Sequence, residues 1–210
     1  MLKSFSLQVW LFEYSYEFLR HQTELKKLII LPTFPRDRND YTELCEGLHP
    51  EALPHLGFLG VEHCMLLDLM KDRPVTGVHI YYSVIDTKIL PHVSQKLSQG
   101  DFNTILAQFF SAISFCRGSL VKLKLEIYVV YNRTEETEDP MPHVDGVALQ
   151  GYLAAYSALK SFRLINANEL TRDLLLSDSL MAPGLIETKA WKESCPHVKE
   201  INIFGYEVVS

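Results

Sequence analysis

The pattern of apolar and polar positions is clearest in residues 101–131. In the first half of this stretch, apolar residues recur at steps of three and four, which places them along one side of a helix: Phe102, Ile105, Leu106, Phe109 and Ile113. After Gly118, apolar residues occupy every second position, and Lys122, Lys124 and Glu126 alternate with them. The pattern predicts a helix packed on a strand that has one solvated face.

Weaker patterns of the same two kinds predict the remaining elements. Alternation predicts further strands in residues 5–11, 78–85 and 201–208. Helical spacing predicts helices in residues 14–31, 49–71, 144–162 and 169–176, and the first strand could equally begin a helix. No internal repeat is apparent. These elements predict an α+β fold in which a mixed or antiparallel sheet is packed on one side by two to three helices.

Length and composition predict one folded domain, residues 1–210. Apolar residues make up 47% of the chain and charged residues 22%, which is close to the average for globular proteins. The formal net charge is −6, and the 20 Lys and Arg residues are dispersed, so direct binding of nucleic acid is disfavoured. No apolar run is long enough for a membrane span, and the amino terminus lacks the plan of a signal peptide. A cytoplasmic or nuclear protein is therefore expected.

No motif in the chain indicates a reaction or a cofactor. Phosphate-binding loops and the nucleophile elbow are missing, and the four cysteines lack the spacing of a zinc site. The densest group of candidate metal ligands comprises His49, His55, His63, Glu51, Glu62, Cys64 and Asp68. On a helix, however, Glu62 and Asp68 would be too far apart to share one ion, and the adjacent His63 and Cys64 would point in different directions. We therefore expect no enzyme activity, no cofactor and no metal site, and reduced, structural cysteines.

The order of elements, together with the triplet His49-Pro50-Glu51 ahead of the second helical region, resembles that of the HORMA domain. That family supplies the adaptors of the spindle checkpoint, the meiotic axis, translesion polymerases and autophagy scaffolds. The resemblance implies a core, residues 1–131, and a belt-like carboxy-terminal segment, residues 132–210.

In such a protein, an extended peptide of a larger partner would add beside the strand in residues 120–131, and the belt would close over it. The resemblance thus implies a non-enzymatic protein-binding adaptor, as a monomer or as a homo- or hetero-dimer. The residues expected to contact the partner are Leu120, Lys122, Lys124, Glu126, Tyr128 and Trp191.

Three other interpretations stay open at the level of sequence. An ordinary α+β sheet whose edge is simply covered by the tail would show the same pattern. A self-assembling viral matrix or accessory protein would suit a chain without motifs that carries aromatic residues such as Trp10 and Trp191. A hydrolase or transferase would use Cys64 or a histidine.

Overall fold

A computed structural model of the chain describes residues 2–8, 17–31, 48, 50–61, 69–70, 72–86, 103, 106–107, 109–111, 113–130, 144–166, 184–185 and 187–209. These residues form an eight-stranded sheet whose strands follow one another in sequence order. The strands are β1 (Ser4–Gln8), β2 (Lys27–Leu31), β3 (Phe58–Val61), β4 (Gly77–Asp86), β5 (Lys122–Val130), β6 (Ser161–Asn166), β7 (Glu200–Ile203) and β8 (Tyr206–Val209). The helices with both ends among the described residues are two 3-10 helices, Pro50–Ala52 and Ser114–Cys116, and two α-helices, α1 (Gly146–Ala154) and α2 (Thr188–Ser194). Residues 17–20 and 109–111 are also helical.

The first seven strands are all parallel, and each pairs with the strand that precedes and the strand that follows it in the chain. Only β8 is antiparallel, because the chain turns back at Phe204 and Gly205, which have φ angles of 52° and 92°. An arrangement in which each unit packs only on its sequence neighbours is a solenoid.

The same apolar triplet opens all seven parallel strands, as Leu2, Phe5 and Leu7 in β1 and as buried residues in the other six. One apolar residue precedes the strand by two positions, and the second and fourth strand residues are also apolar, which gives the pattern L-x-x-L-x-L. The six buried triplets are Leu25, Leu28 and Ile30; Leu56, Leu59 and Val61; Val75, Val78 and Ile80; Leu120, Leu123 and Leu125; Leu159, Phe162 and Leu164; and Val198, Ile201 and Ile203. None of these residues is more than 5% exposed, so together they form the sheet side of the core. The expectation that the chain has no internal repeat is therefore wrong.

A repeated hydrogen-bond arrangement keeps the strands in register. Immediately before the shared strand start, one backbone carbonyl accepts hydrogen bonds from two consecutive N–H groups of the next repeat, at 2.7–3.2 Å. The accepting carbonyls belong to Lys3, Lys26, Gly57, Thr76, Val121 and Lys160. We call this arrangement the carbonyl clamp. It aligns the first residues of all seven parallel strands in one row.

The connections supply the other side of the core. Asp145 begins α1, because its carboxylate accepts from the N–H groups of Val147 and Ala148 at 3.0 Å. The hydroxyl of Tyr156 donates to the carbonyl of Phe110 at 2.8 Å, and Nε1 of Trp191 donates to the carbonyl of Leu185 at 2.8 Å. Because their polar atoms are satisfied, these large side chains can be fully buried.

The α+β class is confirmed, and so are the predicted strands that correspond to β1, β4 and β5. Three predicted helical regions are wrong over part of their length, since residues 14–31 end with β2, residues 144–162 end with the start of β6, and residues 49–71 contain β3 in their middle. The predicted terminal strand is a hairpin of β7 and β8. The helix predicted at 169–176 lies outside the described residues, and the sheet is mostly parallel rather than antiparallel.

The predicted docking edge does not exist at β5. This strand lies inside the sheet and is paired on one side with β4 and on the other with β6. The described part of the predicted belt forms α1, β6, α2, β7 and β8, so it extends the sheet and does not close over an edge. Within the described residues, the helices are too short to cross a lipid bilayer.

Candidate interaction surface

The side of the sheet that faces away from the apolar triplets carries a second set of side chains, because strand residues alternate between the two faces. We call this surface the open face. It comprises Ser4, Ser6, Lys27, Ile29, Phe58, Gly60, Gly77, His79, Tyr81, Lys122, Lys124, Glu126, Ser161, Arg163, Ile165, Glu200 and Asn202. Register places residues from distant parts of the chain beside one another here. In one row, for example, His79 of β4 lies next to Lys124 of β5, which lies next to Arg163 of β6.

The centre of the open face holds a charged cluster on β4 and β5. One carboxylate oxygen of Glu126 accepts hydrogen bonds from Nε2 of His79 and from Nζ of Lys124, both at 2.9 Å. The ring of Tyr81 lies against the ring of His79, with 3.8 Å between the centroids. Each polar group in the cluster is held in place by at least one neighbour.

Burial and charge set the protonation states in this cluster. Burial lowers the pKa of His79 below 6.5, the Lys124 ammonium lowers it further, and the contact with Glu126 opposes both effects only in part. Burial acts to raise the pKa of Glu126, but the hydrogen bonds and charges of Lys124 and His79 outweigh it, so that this pKa lies below its ordinary value. The cluster at neutral pH therefore consists of a neutral imidazole, a carboxylate and an ammonium group.

A second polar group lies on β6 and β7. Arg163 donates to Oε1 of Glu200 through Nε at 2.8 Å and through a terminal nitrogen, and Ser161 donates to Oε2 at 2.9 Å. The hydrogen bonds from Arg163 and then from Ser161 hold the pKa of Glu200 below its ordinary value. The guanidinium group is thereby fixed in orientation although Arg163 is exposed.

The other half of the open face, on β2 to β4, is apolar and aromatic. A Cβ on Gly77 would lie 2.9 Å from a ring carbon of Phe58, so the phenyl ring occupies the space that a side chain on β4 would fill. The ammonium group of Lys27 lies 5.1 Å from the centroid of the same ring. A Cβ on Gly60 would likewise meet Ile29 and Tyr81 at 3.2 and 3.3 Å. Aromatic residues and Arg are enriched at protein interfaces, and the open face presents both, together with Lys and Glu, which are less common there.

The structure divides the residues that sequence analysis assigned to partner binding. Lys122 is exposed on the open face, and Lys124 and Glu126 are half-buried there. Leu120 and Trp191 are fully buried in the core, so neither can contact a partner on the surface. Tyr128 belongs to β5, and its side chain lies outside the described part of the molecule.

Sequence analysis missed Phe58, His79, Tyr81 and Arg163 as members of one surface. These residues come from three strands that are distant in sequence, and they become neighbours only through the register in which the strands pair. The recurring L-x-x-L-x-L pattern is the signal that could have found them, since the pattern by itself aligns the strands.

The described cysteines are not suited to nucleophilic catalysis. Cys116 and Cys195 are buried and unpaired, in agreement with the structural role expected for them. Burial raises the pKa of each thiol to about 11, so both stay protonated at neutral pH. Within the described residues, no three His, Cys, Asp or Glu side chains are grouped to hold a metal ion. Cys64, His49 and His63 lie outside those residues.

Comparisons of the chain with models of protein families, with curated proteins and with solved structures find no match.

Proposed function

We propose that this chain is a non-enzymatic adaptor that binds a protein partner across the open face of its solenoid sheet. Protein binding is the class of function that the sequence led us to expect, but the proposed contact is the open face instead of the edge of β5. A partner would lie over side chains of several strands, because β5 has no free edge to which a peptide could add.

The repeat architecture supports this proposal. A parallel strand that begins with L-x-x-L-x-L and is followed by a helix or a 3-10 turn is the plan of leucine-rich-repeat solenoids. Solenoids of this kind bind partners on the extended surface that their stacked units create. The connections between the strands differ in length, and the strands nevertheless stay aligned row by row.

The single observation that carries the proposal is the fixed geometry of the charged groups on β5 to β7. Lys124 is held by Glu126, and Arg163 is held by Glu200. Side chains that are already ordered lose less conformational entropy on binding, so such a surface can bind a complementary partner at lower cost. Exposed Lys122 lies two residues before Lys124 on β5, beside Ser161 of β6, and adds a positive charge that no hydrogen bond engages among the described contacts.

The experiment compares two charge reversals. Lys122→Glu alters the open face, whereas Lys189→Glu alters α2, whose Lys189 side chain is 88% exposed. Tagged wild type and both variants are expressed in cells, and the bound proteins are quantified by mass spectrometry. We expect a partner that is recovered with wild type and with Lys189→Glu but lost at least tenfold with Lys122→Glu.

Equal recovery with both variants would contradict the open face as the binding surface. Matching thermal melts of the three proteins are needed as the control, because a loss of folding would also remove a partner.

A further inference from the structure

We infer that the outer edge of β1 binds a second copy of this chain, so that two sheets join into one through antiparallel pairing of their first strands. This inference does not depend on the proposed function of the open face. It follows from the backbone direction of β1, from the absence of protection along its described edge and from the symmetry of its sequence.

The backbone of β1 has hydrogen-bonding groups that point away from the sheet. The carbonyl of Lys3 is directed at β2, where it accepts from the N–H groups of Lys26 and Lys27. Because peptide groups alternate along a strand, those of Ser4, Ser6 and Gln8 point to the outer side. Ser4 and Ser6 are exposed, and no strand among the described residues pairs with this side of β1.

This edge lacks the features by which proteins prevent strands from pairing. The strand reads Ser-Phe-Ser-Leu-Gln, with no charged residue and no proline. The opposite end of the sheet is different, since the hydroxyl of Thr188 on α2 donates to the carbonyl of Val208 at 3.2 Å and β8 carries the exposed charge of Glu207. Among the residues that the structure describes, the β8 end of the solenoid is thus protected and the β1 end is not.

The apolar core is also uncovered at the β1 end. Leu2 occupies the first position of the repeat and is 41% exposed, whereas the six equivalent residues are at most 5% exposed. Phe18 is 40% exposed, and its ring lies 5.0 Å from that of Phe5, which is only partly buried. Terminal repeats of a solenoid need a cover, and a partner that brings apolar side chains to this end would provide it.

The sequence of β1 selects a second copy as that partner. Antiparallel pairing centred on Ser6 places Ser6 opposite Ser6, Phe5 opposite Leu7 and Ser4 opposite Gln8. The outward peptide groups then form hydrogen-bonded pairs, in which facing residues exchange two hydrogen bonds. Apolar residues face apolar residues, polar residues face polar residues, and no like charges face each other.

The symmetry axis of such a pair is perpendicular to the sheet. Both open faces therefore lie on the same side of the joined sheet, and the Phe5 and Phe18 side chains of both copies lie on the other side, close to the seam. This isologous contact closes after two copies, so the assembly is a dimer and not a filament.

The first test is sedimentation velocity of the wild type and of two variants over a range of concentrations. Ser6→Pro removes an outward N–H group and leaves the β1–β2 hydrogen bonds of Phe5 and Leu7 intact, because proline is tolerated at the free side of an edge strand. We expect dimers for wild type and for Ser6→Ala, and at least a tenfold weaker dimer for Ser6→Pro. A monomeric wild type, or a Ser6→Pro variant that dimerises as tightly as Ser6→Ala, would overturn the inference.

A second test does not rely on the folding of the proline variant. In a hydrogen-bonded antiparallel pair the facing Cα atoms are about 5.5 Å apart, within the range that a disulfide spans. Mild oxidation of Ser6→Cys should therefore give a covalent dimer that reducing agent separates, and wild type under the same treatment should not. Absence of that covalent dimer would exclude pairing centred on Ser6.

Discussion

Two glycines of α1 have opposite surroundings. A Cβ on Gly146 would lie 2.6 Å from the backbone nitrogen of Leu185, so glycine is needed there for the close approach of two backbone segments. Nothing lies within 4 Å of a Cβ on Gly151, which is exposed on the same helix. Substitution by alanine at the two positions therefore distinguishes the cost of a steric clash, at Gly146, from the gain in helix propensity, at Gly151.

We expect Gly146→Ala to lower the free energy of unfolding by about 1–3 kcal/mol, because backbone must move to accept the methyl group. Gly151→Ala is the matched control and should raise the free energy of unfolding by about 0.5–1 kcal/mol, because alanine favours the helix. Urea denaturation of both variants measures the effect. Equal shifts in the same direction would show that the contact between Gly146 and Leu185 is absent.

The buried imidazole of His79 predicts a pH dependence of stability. Its pKa is lowered by burial in the folded chain and returns to about 6.5 on unfolding, so below that pH the unfolded chain binds the proton more readily. The free energy of unfolding should therefore fall as the pH drops from 6.5 towards the pKa of folded His79. The depressed pKa of Glu126 adds a further loss at pH values below its ordinary range.

His79→Gln keeps a donor for Glu126 and removes the titration, so its stability should change less than that of wild type between pH 6.5 and 5. Exposed His55→Gln is the matched surface substitution with which the slope of His79→Gln is compared. Thermal melts across this pH range provide the measurement. A wild-type slope in His79→Gln would argue against the burial of the neutral ring.

At the scale of the element, the repeat pattern explains which predictions failed. Its first part, L-x-x-L, has the spacing of a helix, and its second part, L-x-L, has the spacing of a strand. Leu25 and Leu28 therefore extended the predicted first helix into β2, and Leu159 with Phe162 extended another into β6. The strand β5 was predicted correctly because its alternation continues well beyond the triplet.

Only part of the open face could be predicted from the periodicity of the sequence. Lys122, Lys124 and Glu126 were found because they alternate within one strand. Their neighbours His79 and Arg163 were not, because a contact between strands depends on register, which local periodicity does not contain. Leu120 and Trp191 were misassigned since apolar residues carry no local sign of which side of an element is buried.

A comparison of two leucines tests the repeat assignment. Leu159 and Leu2 occupy the same position of the repeat, but Leu159 is fully buried and Leu2 is not. Leu159→Ala should lower the free energy of unfolding by about 2–5 kcal/mol, and Leu2→Ala should change that of the monomer by less than about 1 kcal/mol. Urea denaturation at low protein concentration measures both. Similar losses at the two positions would contradict an uncovered end of the core.

At the scale of the whole molecule, the order of elements left the topology open. Helices alternating with strands fit an antiparallel sheet with a belt as well as a parallel solenoid, because element order does not fix which strands pair. The repeat would have settled this question, but its copies begin at Leu2, Leu25, Leu56, Val75, Leu120, Leu159 and Val198, so that only the last three are evenly spaced. A search for a constant period therefore fails, although the strands that the repeats form are aligned.

The carbonyl clamp has a consequence for how such a chain can be altered. Each strand is positioned by two N–H groups at its start, and the length of the preceding connection does not enter. Foreign peptides inserted into the long connections should thus leave the sheet undisturbed, whereas removal of a single residue within a strand, just after its clamp, would turn the rest of that strand over. The chain can in this sense serve as a scaffold for grafting, because inserted segments need not alter the geometry of the open face.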